Sequence, residues 1–292
     1  MIKDSFDINY TLLPSDTKKI LTDNMEELKD IDNFNLKLNK LARFDEDKNF
    51  LFYKNPKRKN EDKLMIKSSI SKKAFDENFR EISIRLLNSI NAMNIDYEVM
   101  RFKTEWKLAL GLGEESVYEV SMLLHHIYGI PYIPGQALKG TARNWCIKRY
   151  FNNEKEALND EGFRMLFGNP KISSNIKEHE GNVVFFDAFP ITCPIIKVDV
   201  LNNHYSDYYK TNGQQPPADY LNPNLVPFLT IENTIFQFII GVHKKDNQEI
   251  KSGIFKDNNI LLFAKRIMIE ALSDNGIGAK TSVGYGYMTQ IK

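Results

Sequence analysis

Apolar residues recur at helical spacing in two stretches of the second half of the chain. In Asn259–Leu272 they follow the three–four spacing of an amphipathic helix, which Asn258 or Asn259 can cap and Gly276 can end. A second helix is predicted over about Gln136–Tyr150. Its core-facing residues are Leu138, Ala142 and Trp145.

Other stretches are rich in β-branched and aromatic residues, which is typical of strands. The first, Tyr97–Leu110, carries apolar or aromatic residues at several positions, Trp106 among them, and ends at Gly111. The further strand-like stretches are Ser116–Tyr128, Val183–Phe189, Ile195–Val200, Phe228–Val242 and Val283–Ile291.

The main predicted elements, in chain order, are strand, helix, strand, strand, helix and strand. This is the order of the split βαβ, or ferredoxin-like, arrangement, which also underlies many RNA-binding modules. We therefore predict an α+β fold with a ferredoxin-like (RRM-like) βαββαβ core. Insertions around residues 111–134, 151–180 and 201–225 extend this core.

The first third of the chain has a different composition. Residues 1–95 are dense in charges of nearly balanced sign and contain no glycine. Lys18–Ile31 and Phe75–Met93 have helical patterns, whereas Lys54–Lys63 is typical of an exposed loop. We expect residues 1–95 to form a mainly helical extension that covers the core or contacts a protein neighbour, and residues 96–292 to form the ferredoxin-like domain.

Composition narrows the class of protein further. The 292 residues are 42% hydrophobic and 26% charged, which is ordinary for a globular protein. No apolar run approaches the roughly 20 residues that span a bilayer, and Met1–Asp7 resembles no signal peptide. We expect a cytoplasmic protein without a membrane partner or cofactor. Because the net charge is only +1, any nucleic-acid site must concentrate positive charge locally.

The most informative stretch is the glycine-rich run Gly276–Tyr287. Its glycines permit positive φ and close backbone approach to a ligand, while Lys280 adds charge near the hydroxyls of Thr281 and Ser282. It is not a nucleotide-binding P-loop, because Ala279 precedes the lysine and the loop follows a helix instead of a strand. We predict contact with an RNA backbone, and Gly278 belongs to the predicted site.

A second stretch, Tyr128–Arg143, opens the first predicted helix. The amide groups at Gly135 and Gln136 can bind phosphate, as helix N-termini commonly do. Lys139 and Arg143 are four residues apart and share a helix face. Gly140 weakens the helix unless a partner approaches closely. These five residues complete the predicted RNA site, although two basic residues on a helix face are more often simply solvated.

Catalytic and metal chemistry have little support in the sequence. His125 and His126 are adjacent, so in an extended stretch they point to opposite faces and chelate poorly. Asp187 ends a strand-like stretch and is better explained as a hydrogen-bond acceptor from a nearby loop. We assign no catalytic residue and no metal site.

Several blocks together resemble the RAMP superfamily of CRISPR effector proteins. They are Gly111–Gly113 with Glu119, the helix-opening block Tyr128–Arg143, Leu166–Gly168 followed by Gly181–Ala188, and the closing run Gly276–Gly286. The resemblance covers about residues 97–292, and within the superfamily it is greatest to the Cmr complex, the type III-B effector. Gln136 departs from the serine common at that position.

The resemblance implies a ferredoxin-like core and a non-catalytic subunit that binds CRISPR RNA near its 3′ end. Its implied partners are CRISPR RNA, target RNA and the other subunits of the Cmr effector complex, in antiviral defence. An alternative is a RAMP-type endoribonuclease that processes CRISPR RNA, for which His125 or His126 is the available base. The loop that corresponds to the cutting loop of the backbone subunit holds Glu114 and Glu115, for which solvent exposure is the simpler expectation.

Overall fold

A computed structural model describes residues 11–24, 33–42, 70–116, 118, 120–170, 178–203, 214 and 224–291. The predicted loop Lys54–Lys63 lies outside these residues. The main helices and strands, in chain order, are α1 Ser15–Asn24, α2 Arg80–Ala92, β1 Ile95–Thr104, β2 Lys107–Leu108, α3 Gly135–Tyr150, α4 Glu154–Asn159, α5 Glu161–Phe167, β3 Val183–Phe185, β4 Phe189–Pro190, β5 Ile195–Asn203, β6 Asn224–Glu232, β7 Ile235–His243, α6 Ile260–Asp274 and β8 Met288–Ile291. Short helical turns also occur at Leu36–Lys40, Lys72–Ala74, Phe75–Phe79 and Thr281–Val283.

The predicted α+β class is confirmed, with helices beside antiparallel sheets. The chain forms two compact units. The first comprises Met1–Ser71, Leu110–Ile130 and Ile196–Thr230, and the second comprises Lys72–Ala109, Pro131–Ile195 and Ile231–Lys292. Within the part of the chain that the structure describes, no helix combines the length and apolar character needed to cross a membrane.

The first unit is built around buried side chains near Phe34. Asn33 Nδ2 donates a hydrogen bond to the Ile127 carbonyl at 2.9 Å. Gly129 has a φ of +63°, and a Cβ there would lie 2.6 Å from the Phe34 amide nitrogen. This glycine therefore permits residues 125–130 to pack directly on residues 33–34.

The main sheet of the second unit has the strand order β3-β7-β1-β8, and β4 also pairs with β7. All the pairings are antiparallel. Strand β1 pairs with β7 over Ile95–Lys103 and with β8 over Arg101–Thr104. It is therefore the strand that joins both halves of this sheet.

Two helices of this unit have the apolar faces that the sequence predicts. The predicted core residues of α3 are all buried: Leu138, Ala142 and Trp145. Helix α6 buries eight residues, and its first turn is capped by Asn259, whose side chain accepts a hydrogen bond from the Leu262 amide. Both helix predictions are confirmed within one or two residues.

Helix α2 also packs in the second unit. Ile90 is completely buried in a cluster with Ile95 of β1 and Ile239 of β7, and Leu86 and Leu87 lie against this cluster. The apolar face predicted for Phe75–Met93 is thus partly buried on the sheet. The domain boundary near residue 96 stays a proposal.

Several strand predictions need correction. Tyr97–Leu110 is divided into β1 and β2 by a bend at Glu105–Trp106, and Val183–Phe189 is divided between β3 and β4. Of Val283–Ile291, only Met288–Ile291 is a strand, β8. Phe228–Val242 is not one strand but two, because β6 ends at Glu232 and β7 begins at Ile235, with Asn233 between them at a φ of +44°. Asparagine adopts such conformations more readily than most residues. The described residues of Ser116–Tyr128 form no strand. They are held in place by bonds such as Leu123 N–H to the Leu110 carbonyl.

The burial of Ile90 leads to a stability prediction. Ile90→Ala removes a completely buried side chain, so the free energy of unfolding should fall by about 2–5 kcal/mol. Ser89→Ala, on the exposed face of the same helix, serves as the control and should leave stability nearly unchanged. Chemical denaturation of both variants measures the difference. Equal stability of the two would contradict the packing of α2 on the sheet.

Candidate nucleic-acid interface

The N-terminus of α3 is already occupied in part by an acidic side chain. The Gly135 amide donates a hydrogen bond to Asp187 Oδ1 at 2.8 Å, and the Ala137 amide donates to the Pro134 carbonyl at 2.9 Å. This confirms that Asp187 accepts a hydrogen bond from a loop-to-helix junction. An anion at this helix start has to share or displace the Asp187 carboxylate, which limits phosphate binding there.

Close packing explains why residue 135 is a glycine. A Cβ at Gly135 would overlap the Phe185 carbonyl oxygen of β3. The glycine therefore permits direct contact between the start of α3 and a strand of the sheet. Gln136, the next residue, is exposed.

Lys139 lies half-buried one turn into α3. Its ammonium donates a hydrogen bond to the Glu180 carbonyl oxygen at 3.2 Å. Burial lowers the pKa of Lys139, the nearby Arg143 guanidinium lowers it further, and the Glu180 carboxylate opposes both effects. An anion arriving between Lys139 and Arg143 would relieve the repulsion between their like charges.

Arg143 has partners of its own. Its guanidinium forms an ion pair with Glu154 at 2.7 Å, and it lies 5.3 Å from the centre of the Phe163 ring. The Glu154 side chain is 62% exposed. Exposed ion pairs typically contribute about 0–1 kcal/mol, so a phosphate can replace Glu154 at small energetic cost.

Gly140 lies between these two basic residues and differs from the other glycines of the site. It is exposed, and apart from its own helix no described residue has an atom within 4 Å of the place that a Cβ would occupy. A glycine inside a helix costs about 1 kcal/mol relative to alanine. Nothing in the packing of the described residues compensates for that cost.

The glycine-rich loop closes on itself through two of its glycines. Gly276 and Gly286 have φ values of +68° and +76°, and the Ile277 amide donates to the Gly286 carbonyl at 2.9 Å. A Cβ at Gly286 would overlap the Ile277 carbonyl oxygen. Gly278 and Gly284 also have positive φ, at +89° and +98°. The predicted positive φ values in this loop are confirmed.

Backbone hydrogen bonds attach this loop to the segment that follows β1. The Ala279 amide donates to the Ala109 carbonyl and the Gly286 amide to the Lys107 carbonyl, both at 2.8 Å. The Glu105 amide donates to the Tyr287 carbonyl at 3.0 Å. The loop therefore has a defined position beside residues 105–109.

The predicted polar residues of the loop lie at its outer turn. Lys280 has a φ of +62°, and its ammonium lies 5.4 Å from the centre of the Tyr285 ring. Thr281 begins a short 3₁₀ turn, Thr281–Val283, in which Ser282 is exposed. The hydroxyls and the ammonium are thus presented on one short turn.

One hydrogen bond connects helix α3 to the end of α6, which precedes the loop. Trp145 Nε1 of α3 donates a hydrogen bond to Asp274 Oδ2 at 3.0 Å, and Asp274 is the last residue of α6 before the glycine-rich loop. Lys139 and Arg143 interact with one another on α3, whereas Lys280 is placed with Tyr285. The predicted residues thus form two groups within the second unit.

The sequence interpretation missed Trp106 and Lys107. Trp106 is 50% exposed and its ring centre lies 5.0 Å from that of Tyr285, while the Lys107 ammonium lies 4.9 Å from the Trp106 ring centre. Strand alternation places Trp106 with Phe102 and Leu108 on the buried face. A bend at Glu105–Trp106 turns it outward. No sequence signal marks that bend.

The other candidates occur in the first unit. His125 accepts a hydrogen bond at Nδ1 from the Tyr128 amide at 3.3 Å, and the two rings stack at 4.6 Å. His126 is exposed, as are Glu114 and Glu115. His125 therefore has a structural role in the turn before Gly129, and Glu119 lies outside the described residues.

Known proteins resemble this chain in both sequence and structure. A family model described as the RAMP superfamily matches residues 100–289. The chain is 33% identical to the CRISPR system Cmr subunit Cmr6 of Pyrococcus furiosus, and the match covers 70% of either chain. The crystal structure of Cmr6 from Pyrococcus furiosus is 30% identical, covering 68% of this chain and 99% of that chain, with a TM-score of 0.38.

A chain of the type III-B Cmr-beta complex bound to cognate target RNA, a cryo-EM structure, shares the fold with a TM-score of 0.56 and 22% identity. That match covers 74% of this chain, which spans 66% of the length of the matched chain. The family match includes the glycine-rich loop and the start of α3, the regions on which the resemblance was based. Because the family model covers well over half of the sequence, the chain belongs to the RAMP superfamily.

Proposed function

We propose that this chain is a non-catalytic RNA-binding subunit of a type III-B CRISPR ribonucleoprotein. In this role it holds CRISPR RNA toward its 3′ end and supports recognition of target RNA in antiviral defence, in the cytoplasm. Membership of the RAMP superfamily and the 33% identity to a protein named as a Cmr subunit support the proposal. Its partners are then CRISPR RNA, target RNA and the other Cmr subunits.

The core that presents the RNA site is proposed to be ferredoxin-like. Strands β1, β3, β7 and β8, with α3 after β1 and α6 after β7, follow the βαββαβ order along the chain. Their order in the sheet, β3-β7-β1-β8, is compatible with that arrangement. The charged residues 1–95 are then an extension, part of which covers the sheet through α2.

Phosphate contacts are assigned to the two groups of predicted residues. At the start of α3 they are Gly135, Gln136, Lys139, Gly140 and Arg143. In the glycine-rich loop they are Gly278, Lys280, Thr281 and Ser282. In the first group Gln136 and Gly140 are exposed, whereas the Gly135 amide would share its contact with Asp187. In the second group Gly278 and Ser282 are exposed. Such contacts position RNA without reading its sequence.

The main observation in support of the proposal is the open space around Gly140. Packing explains Gly135, Gly276 and Gly286, because each lacks space for a Cβ. Gly140 has that space and lies between Lys139 and Arg143 in the sequence. The absence of a side chain there leaves room for a binding partner to approach the helix backbone. A phosphodiester backbone matches the charge and can approach the exposed helix surface.

The non-catalytic assignment is supported by the positions of the acid–base candidates. His125 participates in a turn, and exposed Glu114 and Glu115 have no neighbouring base among the hydrogen bonds of the described residues. Cleavage of RNA needs an acid and a base near one ribose 2′-hydroxyl. The alternative function, processing of CRISPR RNA by a RAMP-type endoribonuclease, then depends on exposed His126.

The first prediction separates a contact glycine from a packing glycine. Gly140→Ala should raise the free energy of unfolding by about 1 kcal/mol, because alanine favours the helix, yet weaken RNA binding by obstructing backbone approach. Gly286→Ala is the contrast: it should lower stability, because its Cβ overlaps Ile277. Denaturation and RNA titration measure both effects. Stabilisation by Gly140→Ala with unchanged RNA affinity would contradict the proposed contact.

The second prediction concerns salt dependence. Replacing Lys139, Arg143 and Lys280 together by alanine should weaken binding to single-stranded RNA of any sequence and reduce the slope of log K against log salt by roughly 2, if each contacts one phosphate. The matched control replaces three exposed lysines, Lys148, Lys245 and Lys256, and removes the same charge. Equal slopes for the two triple variants would show that the phosphate site lies elsewhere.

The third prediction is that the purified chain does not cleave RNA, with or without divalent metal. End-labelled CRISPR repeat RNA incubated with the protein should remain intact on a denaturing gel, since the described residues form no acid–base pair suited to cleavage. Specific cleavage that disappears in His126→Ala but persists in the control variant His243→Ala, also exposed, would favour the endoribonuclease.

A further inference from the structure

An exposed aromatic surface lies beside the glycine-rich loop. Trp106 is 50% exposed, although its ring contacts Tyr285, which is only 6% exposed. Val283 at the tip of the loop is 60% exposed. A Cβ at Gly284, the next residue, would lie 3.9 Å from the Trp106 ring. The indole is therefore supported from one side by the loop and still presents much of its surface to solvent.

Two ammonium groups flank this aromatic pair. The Lys107 ammonium lies 4.9 Å from the Trp106 ring centre, and the Lys280 ammonium lies 5.4 Å from the Tyr285 ring centre. The nearest acidic residue in sequence, Glu105, accepts a hydrogen bond from the Thr289 hydroxyl at 2.6 Å. The surface thus joins an accessible aromatic face with two positive charges.

The backbone around Trp106 is held on both sides. The Glu105 amide donates to the Tyr287 carbonyl, and the Lys107 carbonyl accepts from the Gly286 amide. These bonds join the residues immediately before and after Trp106 to the closing part of the glycine-rich loop. The backbone position of Trp106 is therefore set before any ligand binds, and the contact of its ring with Tyr285 further restricts the indole. Such preorganisation lowers the entropic cost of binding.

We propose that Trp106 is a stacking platform for one unpaired base of the RNA, with Lys107 and Lys280 contacting the phosphates on either side of that base. This inference rests on the proposed function and adds base stacking to the phosphate contacts assigned above. Single-stranded nucleic acids are commonly held by an aromatic side chain for the base and basic side chains for the backbone. The ammonium of Lys107 exchanges its contact with the indole for one with a phosphate.

A single-stranded RNA fits this surface better than an apolar protein segment. A protein partner that buried Trp106 and Val283 would also have to cover the ammonium groups of Lys107 and Lys280, and burying charged groups costs desolvation energy. Phosphates flanking a base provide the opposite charge at both sides of the ring. Stacking also requires no particular base, which suits a subunit that must accept any guide sequence.

The test titrates full-length protein with a single-stranded RNA oligonucleotide and with the same oligonucleotide carrying one abasic position at a time. Trp106→Ala should weaken binding to the intact RNA by about 5- to 150-fold, the range that one stacked base contributes, with the salt slope unchanged. Trp106→Phe should retain most of the affinity. Leu262→Ala, at an exposed apolar residue of α6, is the matched control and should bind normally.

Tryptophan fluorescence gives a second readout. The chain has two tryptophans, Trp106 and Trp145, and Trp145 is buried. RNA should quench the wild-type emission but not that of Trp106→Ala, which retains Trp145. One abasic position should weaken wild-type binding by the same factor as Trp106→Ala, and should have no further effect in that variant. The abasic scan of the wild-type protein tests the inference even if Trp106→Ala is less stable, because that scan does not use the variant.

Each contrary outcome has a separate meaning. RNA binding by wild-type protein that shows no quenching, no sensitive abasic position and no loss in Trp106→Ala overturns the stacking platform and leaves the proposed function standing. Normal RNA binding by Trp106→Ala combined with failure to assemble with the other subunits identifies Trp106 as a protein contact and overturns the inference. Wild-type protein that binds no RNA contradicts the proposed function and removes the basis of the stacking platform.

Discussion

The pairing of β1 with two neighbours is the constraint on which the candidate interface depends. Over Arg101–Lys103 strand β1 is paired with β7 on one side and β8 on the other. The antiparallel pairing with β8 places the beginning of β8 beside the end of β1. The loop that precedes β8 therefore lies on the segment that follows β1, where it forms three backbone hydrogen bonds with residues 105–109. The position of the loop is therefore a consequence of the pairing between β1 and β8.

The glycines of this interface have different physical roles. Gly135 permits a helix to touch a strand, and Gly286 permits the loop to close against Ile277. These two positions are explained by the protein's own packing. Gly140 is exposed on α3 with no such contact among the described residues, and a helix interior is an unfavourable place for glycine. The distinction between glycines that packing requires and the exposed Gly140 is what connects the geometry to the proposed RNA binding.

Positive charge at the interface is local and partly compensated. Arg143 pairs with Glu154, and Asp187 binds the first amide of α3. The Lys139 ammonium donates a hydrogen bond to the Glu180 carbonyl oxygen. Such a site attracts phosphate less strongly than an uncompensated basic patch, in keeping with a chain whose net charge is +1. In the proposed function, RNA affinity would come from several modest phosphate contacts, and the proposed aromatic stack would add energy that salt does not screen.

The sequence alone determined the features that depend on local periodicity and on short sequence motifs. It predicted the α+β class, helices α3 and α6 with their buried faces, positive φ in the glycine-rich loop, and the RAMP superfamily. It did not reveal the turn at Asn233, because apolar residues continue on both sides of it. Nor did it reveal that Trp106 is exposed, because strand alternation puts this residue on the same face as Phe102 and Leu108. Tertiary structure decided otherwise: the chain bends where β8 and the loop bind β1, and this turns Trp106 outward beside Tyr285, which lies 179 residues later in the chain. A contact between residues so far apart in the sequence depends on strand pairing, and a local sequence pattern cannot predict it.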